Sequence, residues 1–298
     1  MTFAILTAFL FALSAVSGRK LGDALGSLRA NYIRLALAFL VLAALTAAFD
    51  PGSLHPTTFA WLFLSGLVGF GIGDVALYLA LTRIGARLTI LVNFSLATIL
   101  GAMGDWLWLG DIIAPGKWLP ITTILAGLTL ALLAARTSGM ARIGSYGIGL
   151  FAAVVAGMGQ GFGSSISRIA HDAAETLQHE MTGISEACQR VFAGLLFALI
   201  ASRLAGRRNS MTSNAPAPGW RRYLLGAALF GPVIGVSCFQ QALQLQPSAV
   251  VLAIVATSPI LLIPISAILE GDRPTRLSIL GSVVAVGGVI WLTLFEFP

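Results

Sequence analysis

Long apolar runs constrain this chain more than any other feature of its sequence. A membrane-spanning helix needs about 20 mostly apolar residues. The runs do not alternate between polar and apolar residues, so they predict helices rather than the strands of a barrel. The sequence therefore predicts an all-α integral membrane protein with ten transmembrane helices, at 2–18, 31–49, 58–81, 88–106, 117–135, 146–167, 181–203, 221–244, 248–269 and 276–295.

Composition argues against the soluble classes of protein. Of the 298 residues, 57% are hydrophobic and only 10% are charged, whereas a soluble chain has about 25% charged residues. The net charge of +6 fits basic loops beside lipid headgroups better than a nucleic-acid surface. Cys188 and Cys238 lie in apolar runs without a disulfide or metal-binding spacing. We therefore expect the lipid bilayer as a partner and no nucleic acid, metal or other cofactor.

The basic residues favour one side of the membrane. The odd-numbered connections between the ten runs carry 14 of the 18 Lys and Arg residues, and the even-numbered ones carry only Lys117 and Arg168. We call these two sides the odd-loop face and the even-loop face. Because cytoplasmic loops collect Lys and Arg, the pattern predicts a cytoplasmic odd-loop face and, with ten spans, both termini outside.

The two halves of the chain carry matching residues in the same order. These are Gly69 with Gly231, Gly73 with Gly235, Asp111 with Asp272, Gly127 with Gly288 and Arg34 with Arg190, at offsets of 156 to 162 residues. The repeats are predicted at 1–140 and 141–298. Five helices per repeat make the second repeat insert upside-down relative to the first. Such inverted repeats are typical of transporters, whose solute site lies near the membrane midplane between the repeats.

The last helices of the second half carry a further motif. It consists of Thr257-Ser258-Pro259, Gly271-Asp272-Arg273-Pro274-Thr275, Gly281 and Gly288. With this motif and the paired Arg34 and Arg190, the chain resembles the drug/metabolite transporter superfamily, specifically its ten-helix members with two EamA-type units. It departs from the family pattern at Asp111 and Asp272, which replace the usual Glu, and at Thr98 and Pro120 in the first half.

The resemblance implies a transporter of small organic solutes, with the bacterial inner (plasma) membrane as the expected location. Family members are usually described with both termini in the cytoplasm, which is the reverse of the charge pattern. The motif carries little information on the substrate. A metabolite or an amino-acid-like solute is expected, with the direction of transport left open.

Ionisable residues at membrane depth are costly and point to function. Asp74 near the end of the third span and Arg34 near the start of the second approach the same face, so they are expected to meet. Their pairing fits a solute or proton site and fits equally well a structural lock between two helices. Glu186 and Arg190 share a helix face at i, i+4, either as a second functional cluster or as an ion pair within the helix.

Further polar and aromatic residues complete the candidate solute-binding or coupling set. The amides are expected to line a cavity or to hydrogen-bond between helices. They are Asn93, Gln160, Gln189, Gln240 and Gln241, and Tyr78 accompanies them. Absence of an ATP-binding motif leaves a proton or solute gradient as the energy source, with Asp74 and Glu186 as candidate protonation sites.

The sequence also allows two other functions. His171, Glu175 and His179, spaced four residues apart, would share a face if helical and would then be placed to hold a metal in an intramembrane enzyme acting on lipid-like substrates. Their acidic neighbours favour a solvated loop instead. A channel or a lipid flippase of the same fold is the other alternative.

Overall fold

The structure is a computed structural model that describes residues 1–133, 143–206, 219–258, 260–261 and 275–294. Within these ranges every regular element is helical. Seven of the described helical segments are long and apolar enough to cross a membrane. The protein is thus an all-helical integral membrane protein, as the apolar runs predict.

The helices follow the predicted spans closely. They are α1 (Thr2–Leu25), α2 (Ser27–Phe49), α3 (Pro56–Gly66), α4 (Asp74–Gly104), α5 (Pro115–Leu133), α6 (Ile143–Thr176), α7 (Gly183–Gly206), α8 (Trp220–Ala228), α9 (Ile234–Leu245), α10 (Ser248–Val255) and α11 (Arg276–Leu294). The third predicted run comprises α3 and the start of α4, the fourth corresponds to the rest of α4, and the eighth comprises α8 and α9, whereas each of the other runs corresponds to a single helix. The ninth run is described only in its first half, and Pro259 and residues 271–274 of the family motif lie outside the described residues.

The sixth helix is longer than predicted. The sequence suggested an end at residue 167, before Arg168 and His171, but α6 continues to Thr176. Both polar side chains have partners. Arg168 Nη1 lies 2.9 Å from Asp105 Oδ2, and His171 Nε2 lies 2.8 Å from Glu186 Oε2. Because a partnered polar group costs much less at membrane depth than a lone one, the helix continues through both.

The third and fourth spans form a hairpin, although helical backbone continues through the bend. Along α6, the successive positions Gly149, Gly159 and Gly163 contact residues of falling number in the third span, namely Ile84, Gly73 and Gly69. The positions Gly157 and Gly161 contact residues of rising number in the fourth span, namely Asn93 and Ala97. The spans Pro56–Ile84 and Thr89–Leu109 are therefore antiparallel, with α6 packed against both.

Contacts between α5 and α11 show how the two halves are related. A Cβ atom built on Gly127 would lie 2.7 Å from the carbonyl oxygen of Gly281, and one on Gly288 would lie 3.2 Å from that of Pro120. At an offset of 161 residues, Gly127 corresponds to Gly288 and Pro120 to Gly281. Each contact is therefore the equivalent of the other, as a twofold axis between inverted repeats requires.

Both repeats carry a π-helical segment at the same place. Leu67–Gly73 separates α3 from α4, and Leu229–Val233 separates α8 from α9, an offset of 162 residues at their first positions. The second segment contains Pro232, which has no N–H to donate. A π-helical turn inside an α-helix often marks a functional site, and both segments border the same cavity.

Candidate functional site

A cavity of about 100 Å³ lies between the two repeats. Both π-helical segments border it, and α1, α2, α4, α6, α7 and α9 complete its walls. Its polar lining consists of Ser14, Arg34, Asp74, Tyr78, Asn93, Gln160 and Arg190. Its apolar lining includes four phenylalanines, Phe11, Phe70, Phe94 and Phe239.

Arg34 forms the first cluster of the cavity. Its guanidinium makes the expected ion pair with Asp74 and donates from Nη2 to Asn31 Oδ1 at 3.0 Å. The guanidinium carbon also lies 5.1 Å from the centre of the Tyr78 ring, within reach of a cation–π attraction. The side chains of Arg34 and Asp74 are 7% and 13% exposed, so the pair is almost removed from solvent while still facing the cavity.

Arg190 forms the second cluster and does not pair with Glu186 as an i, i+4 ion pair. Its Nη1 donates to Gln240 Oε1 at 2.6 Å, and its guanidinium lies 5.3 Å from the centre of the Phe70 ring. Gln240 in turn donates from Nε2 to Glu186 Oε2 at 3.3 Å. The amide of Gln240 on α9 therefore bridges the two charges of α7, because it offers both an acceptor and a donor.

Glu186 is fully buried and accepts hydrogen bonds from two further residues. His171 Nε2 lies 2.8 Å from Oε2, and Gln244 Nε2 donates to Oε1 at 2.6 Å. With Gln240, these partners surround the carboxylate from α6 and α9. We call Glu186, His171, Gln240 and Gln244 the even-face network. It ties α6, α7 and α9 together on the even-loop side of the cavity.

The two clusters occupy equivalent positions in the two repeats. A Cβ atom on Gly231 would lie 3.4 Å from Arg34 Nη1, and one on Gly69 would lie 3.1 Å from Arg190 Nη2. Since Gly69 corresponds to Gly231 and Arg34 to Arg190, these approaches are also twofold equivalents. Each arginine reaches from its own repeat to the π-helical segment of the other.

The cavity is not centred between the clusters. Gly18, Leu81 and Ile90 line it, and all three lie near the odd-loop ends of their spans. Towards the even-loop face, Arg190 is part of the lining, whereas the buried Glu186 behind it is not. The structure is therefore closed by the even-face network, and the cavity extends towards the odd-loop side.

The structure brings together six of the ten candidate residues in the cavity wall. These are Arg34, Asp74, Tyr78, Asn93, Gln160 and Arg190. Glu186 and Gln240 lie behind the wall in the even-face network. Gln241 hydrogen-bonds to Gln244 within α9, and Gln189 donates from α7 to the Ser53 carbonyl at 3.4 Å, so both amides have partners outside the cavity.

His171 was assigned by the sequence to a solvated loop or a metal site, and its structural environment fits neither. It lies on α6 with its side chain 10% exposed, against Glu186. Because α6 ends at Thr176, His179 does not continue the helical face of His171. Within the described residues no group of acidic, histidine or cysteine side chains is arranged to hold a metal.

Asp105 is a buried acid that the sequence reading missed. Its carboxylate accepts from the backbone N–H of Ser248 at 2.7 Å and from the Ser248 hydroxyl at 2.8 Å. Arg168 bridges it to Asp111, with an Nη1–Oδ2 distance of 2.7 Å on the Asp111 side. The cluster fixes the start of α10 to α6 and to the π-helical segment Asp105–Leu109 that follows α4. A single Asp within the apolar fourth run was the available signal.

One further acidic contact lies outside the spans, at the even-loop face. Asp50 Oδ2 accepts from the backbone N–H of Thr182 at 3.0 Å and from its hydroxyl at 2.8 Å. Burial alone would raise the pKa of Asp50, but hydrogen bonds from Thr182 and Ser185 outweigh it and hold that pKa below its usual value. Asp50 thereby anchors the end of α2 to the start of α7.

An inverted pair of helical repeats around a shared polar cavity defines a class of protein, the inverted-repeat membrane transporters. The chain belongs to the EamA-like transporter family, whose model matches residues 1–133 and 147–294. The protein thus lies within the drug/metabolite transporter superfamily. Members of the EamA-like family are transporters rather than enzymes.

Comparison with solved structures supports the same fold. One crystal structure of a protein aligns with a TM-score of 0.74, covering 98% of this chain and 96% of its own, at 17% sequence identity. At that identity the likeness concerns the fold alone. No curated protein matches the chain.

Proposed function

We propose that this transporter is a secondary carrier that moves small organic solutes by alternating access. The observation that supports it is the position of the cavity, which is bounded by polar groups of both repeats and closed on one side by the even-face network. An inverted repeat allows the opposite state, in which the odd-loop side closes and the even-loop side opens.

The cavity wall favours neutral or zwitterionic solutes, such as metabolites or amino-acid-like molecules. Arg34 is already neutralised by Asp74, whereas no described acid lies within 4.0 Å of the Arg190 guanidinium. The Nε–H of Arg190 also has no partner among the described residues. Asn93 and Gln160 add amide groups without a full charge. The phenylalanines of the lining offer contacts to an apolar or aromatic part of the solute.

The energy source in this proposal is a proton gradient, with Asp74 as the coupling residue. A proton on Asp74 would remove the charge that holds Arg34, which would free both side chains of the ion pair. Asp74→Asn removes the titratable group at nearly the same size. We expect gradient-driven uptake to fall to background in this variant while solute exchange persists, and unchanged driven uptake would contradict the assignment.

The proposed location is the bacterial inner (plasma) membrane, with the odd-loop face in the cytoplasm. This orientation follows the excess of Lys and Arg on that face, and it puts both termini outside. A reporter fused to the C terminus, active on only one side of the membrane, tests it directly. A cytoplasmic signal would contradict this orientation. The odd-loop face, towards which the cavity extends, would then lie outside the cell and the even-face network would lie towards the cytoplasm.

Transport itself is tested by reconstitution in liposomes with a panel of amino acids, sugars and cationic drugs. Saturable uptake with counterflow supports a carrier, whereas non-saturable flux supports a channel and movement of labelled lipid supports a flippase.

Asn93→Leu should raise the KM for the transported solute because the cavity wall loses its amide. Thr122→Val, on the exposed face of α5, is the matched control and should leave KM as it is.

A further inference from the structure

The even-face network contains a buried acid with one contact suited to carry a proton. Glu186 is 0% exposed, and the described donors to its carboxylate are Gln240, Gln244 and His171. Carboxamides do not titrate in the accessible pH range, whereas imidazole does. Of these three contacts, only His171 can both accept and release a proton, and its side chain is 10% exposed.

We propose that His171 is the residue through which Glu186 exchanges protons with water on the even-loop side. Nothing in the family assignment gives this residue a role. It is a positioning and proton-transfer residue, since it acts on the carrier through Glu186. The physiological role of this proton exchange rests on the proposed carrier function. In a carrier, protonation of Glu186 would couple a proton gradient to the opening of the even-face network.

The geometry gives a balanced proton transfer. With Glu186 ionised, Nε2 of His171 carries the hydrogen that points to Oε2 at 2.8 Å. Nδ1 is then a buried acceptor without a partner among the described residues, and the proposed transfer requires a water to reach it. A proton from water adds to Nδ1, the Nε2 proton passes to Oε2, and His171 stays neutral in the other tautomer while Glu186 becomes neutral.

Protonation of Glu186 would weaken the even-face network, and Gln240 would transmit this change to the cavity. A neutral carboxyl accepts hydrogen bonds more weakly than a carboxylate, so the contacts from Gln240 and Gln244 weaken. Gln240 is also the partner of Arg190 Nη1, which lines the cavity. Loss of the charge on Glu186 therefore reaches the solute site through one side chain and loosens the link between α7 and α9.

Charged groups approach the pair from α6 and α7. On α6, Asp172 lies next to His171 and interacts with it electrostatically, and Arg168, Glu175 and Asp111 interact with Asp172 in turn. On α7, Arg190 lies one turn beyond Glu186. The contacts from α9 are neutral amides.

Time-resolved infrared spectroscopy of the purified protein tests the proposal without any solute. After a jump to acid pH, a protonated-carboxyl band that is lost in Glu186→Gln belongs to Glu186. We expect its rise to slow by about ten-fold or more in His171→Gln, as loss of a proton-transferring group does elsewhere. His179→Gln, the same change at a histidine beyond the end of α6, should keep the original rate. Absence of a Glu186 band, or an unchanged rate in His171→Gln, would overturn the proposal.

A second measurement covers the case in which His171→Gln does not fold. Nitrogen NMR of the unaltered protein with labelled histidine should show His171 with its hydrogen on Nε2, and that preference should be lost in Glu186→Leu, which removes the acceptor. Identical His171 signals in both proteins would also overturn the proposal. Because neither measurement involves transport, failure of the carrier assignment and failure of this one are distinguishable.

Discussion

Arg34 and Arg190 hold equivalent places in the two repeats, yet their surroundings differ in kind. Arg34 pairs directly with an acid that faces the cavity, whereas Arg190 reaches its acid through the amide of Gln240. At the same offsets, Val236 stands in the place of Asp74, and Ala30 in the place of Glu186. The twofold relation therefore belongs to the backbone, while each end of the site has its own chemistry.

This difference suggests a division of roles between the two ends. The Arg34 end borders the space where a solute would bind, and its ion pair is exposed to whatever enters. The Arg190 end separates the cavity from the even-face network, whose carboxylate has several donors from two other helices. Four variant comparisons would break or sharpen this contrast, and they are given from the largest expected effect to the smallest.

The largest effect is expected from removing one arginine at a time. Arg34→Met leaves Asp74 charged and without its partner, which should reduce the free energy of unfolding by about 3 kcal/mol. Arg190→Met leaves Glu186 with its other donors and should cost only about 1 kcal/mol. Thermal unfolding in detergent measures both. Equal losses in the two variants would remove the contrast, and Arg34→Met with Asp74→Leu should recover most of the stability.

The next comparison uses the equivalent positions Tyr78 and Gln240. Gln240→Leu removes the bridge between two buried charged groups and should destabilise the protein by about 2 kcal/mol. Tyr78→Phe keeps the ring beside Arg34 and should change stability by less than about 0.5 kcal/mol. The same unfolding assay applies. A larger cost for Tyr78→Phe than for Gln240→Leu would show that the hydroxyl, rather than the amide bridge, supports the fold.

Packing of α6 against the first π-helical segment gives the third comparison. A Cβ atom at Gly159 would lie 2.7 Å from the carbonyl oxygen of Val68 and 2.8 Å from the Cα atom of Gly73. Because backbone must move to admit it, Gly159→Ala should cost about 1–3 kcal/mol and slow transport. Gly147, on the same helix, has open space around it, so Gly147→Ala should be neutral or slightly stabilising. Equal effects of Gly159→Ala and Gly147→Ala on the free energy of unfolding would show that α6 is not tightly packed at Gly159.

Asp50 gives the smallest effect and a defined pH dependence. Its pKa is lowered in the folded protein, so its contribution to stability is present above the ordinary carboxyl pKa and is lost as the pH falls through the folded value. Asp50→Asn should lower the unfolding temperature by about 2 °C or less at neutral pH. The two proteins should converge in acid. A difference that grows towards low pH would contradict the contact with Thr182.

The sequence was sufficient for the architecture because a bilayer leaves few choices. Runs of about 20 apolar residues must be helices that satisfy their own backbone hydrogen bonds, and an odd number of helices per repeat must invert the second repeat. The meeting of Arg34 and Asp74 followed from the same rule, since both lie at similar depth near one face. The end of α6 did not follow, because local polarity at Arg168 carried no sign of Asp105, a distant partner.

The site depended on contacts that no local pattern encodes. Sequence spacing placed Glu186 and Arg190 on one helix face, but the position of α9 decided that Gln240 would stand between them. The sequence around His171 predicts a solvated loop, but in the structure Glu186 of α7 contacts its ring. Periodicity and charge therefore determined which residues lie in the membrane and at what depth. Tertiary packing determined which of them are partners, because a buried polar group is stabilised by whatever donor or acceptor the neighbouring helix brings to it.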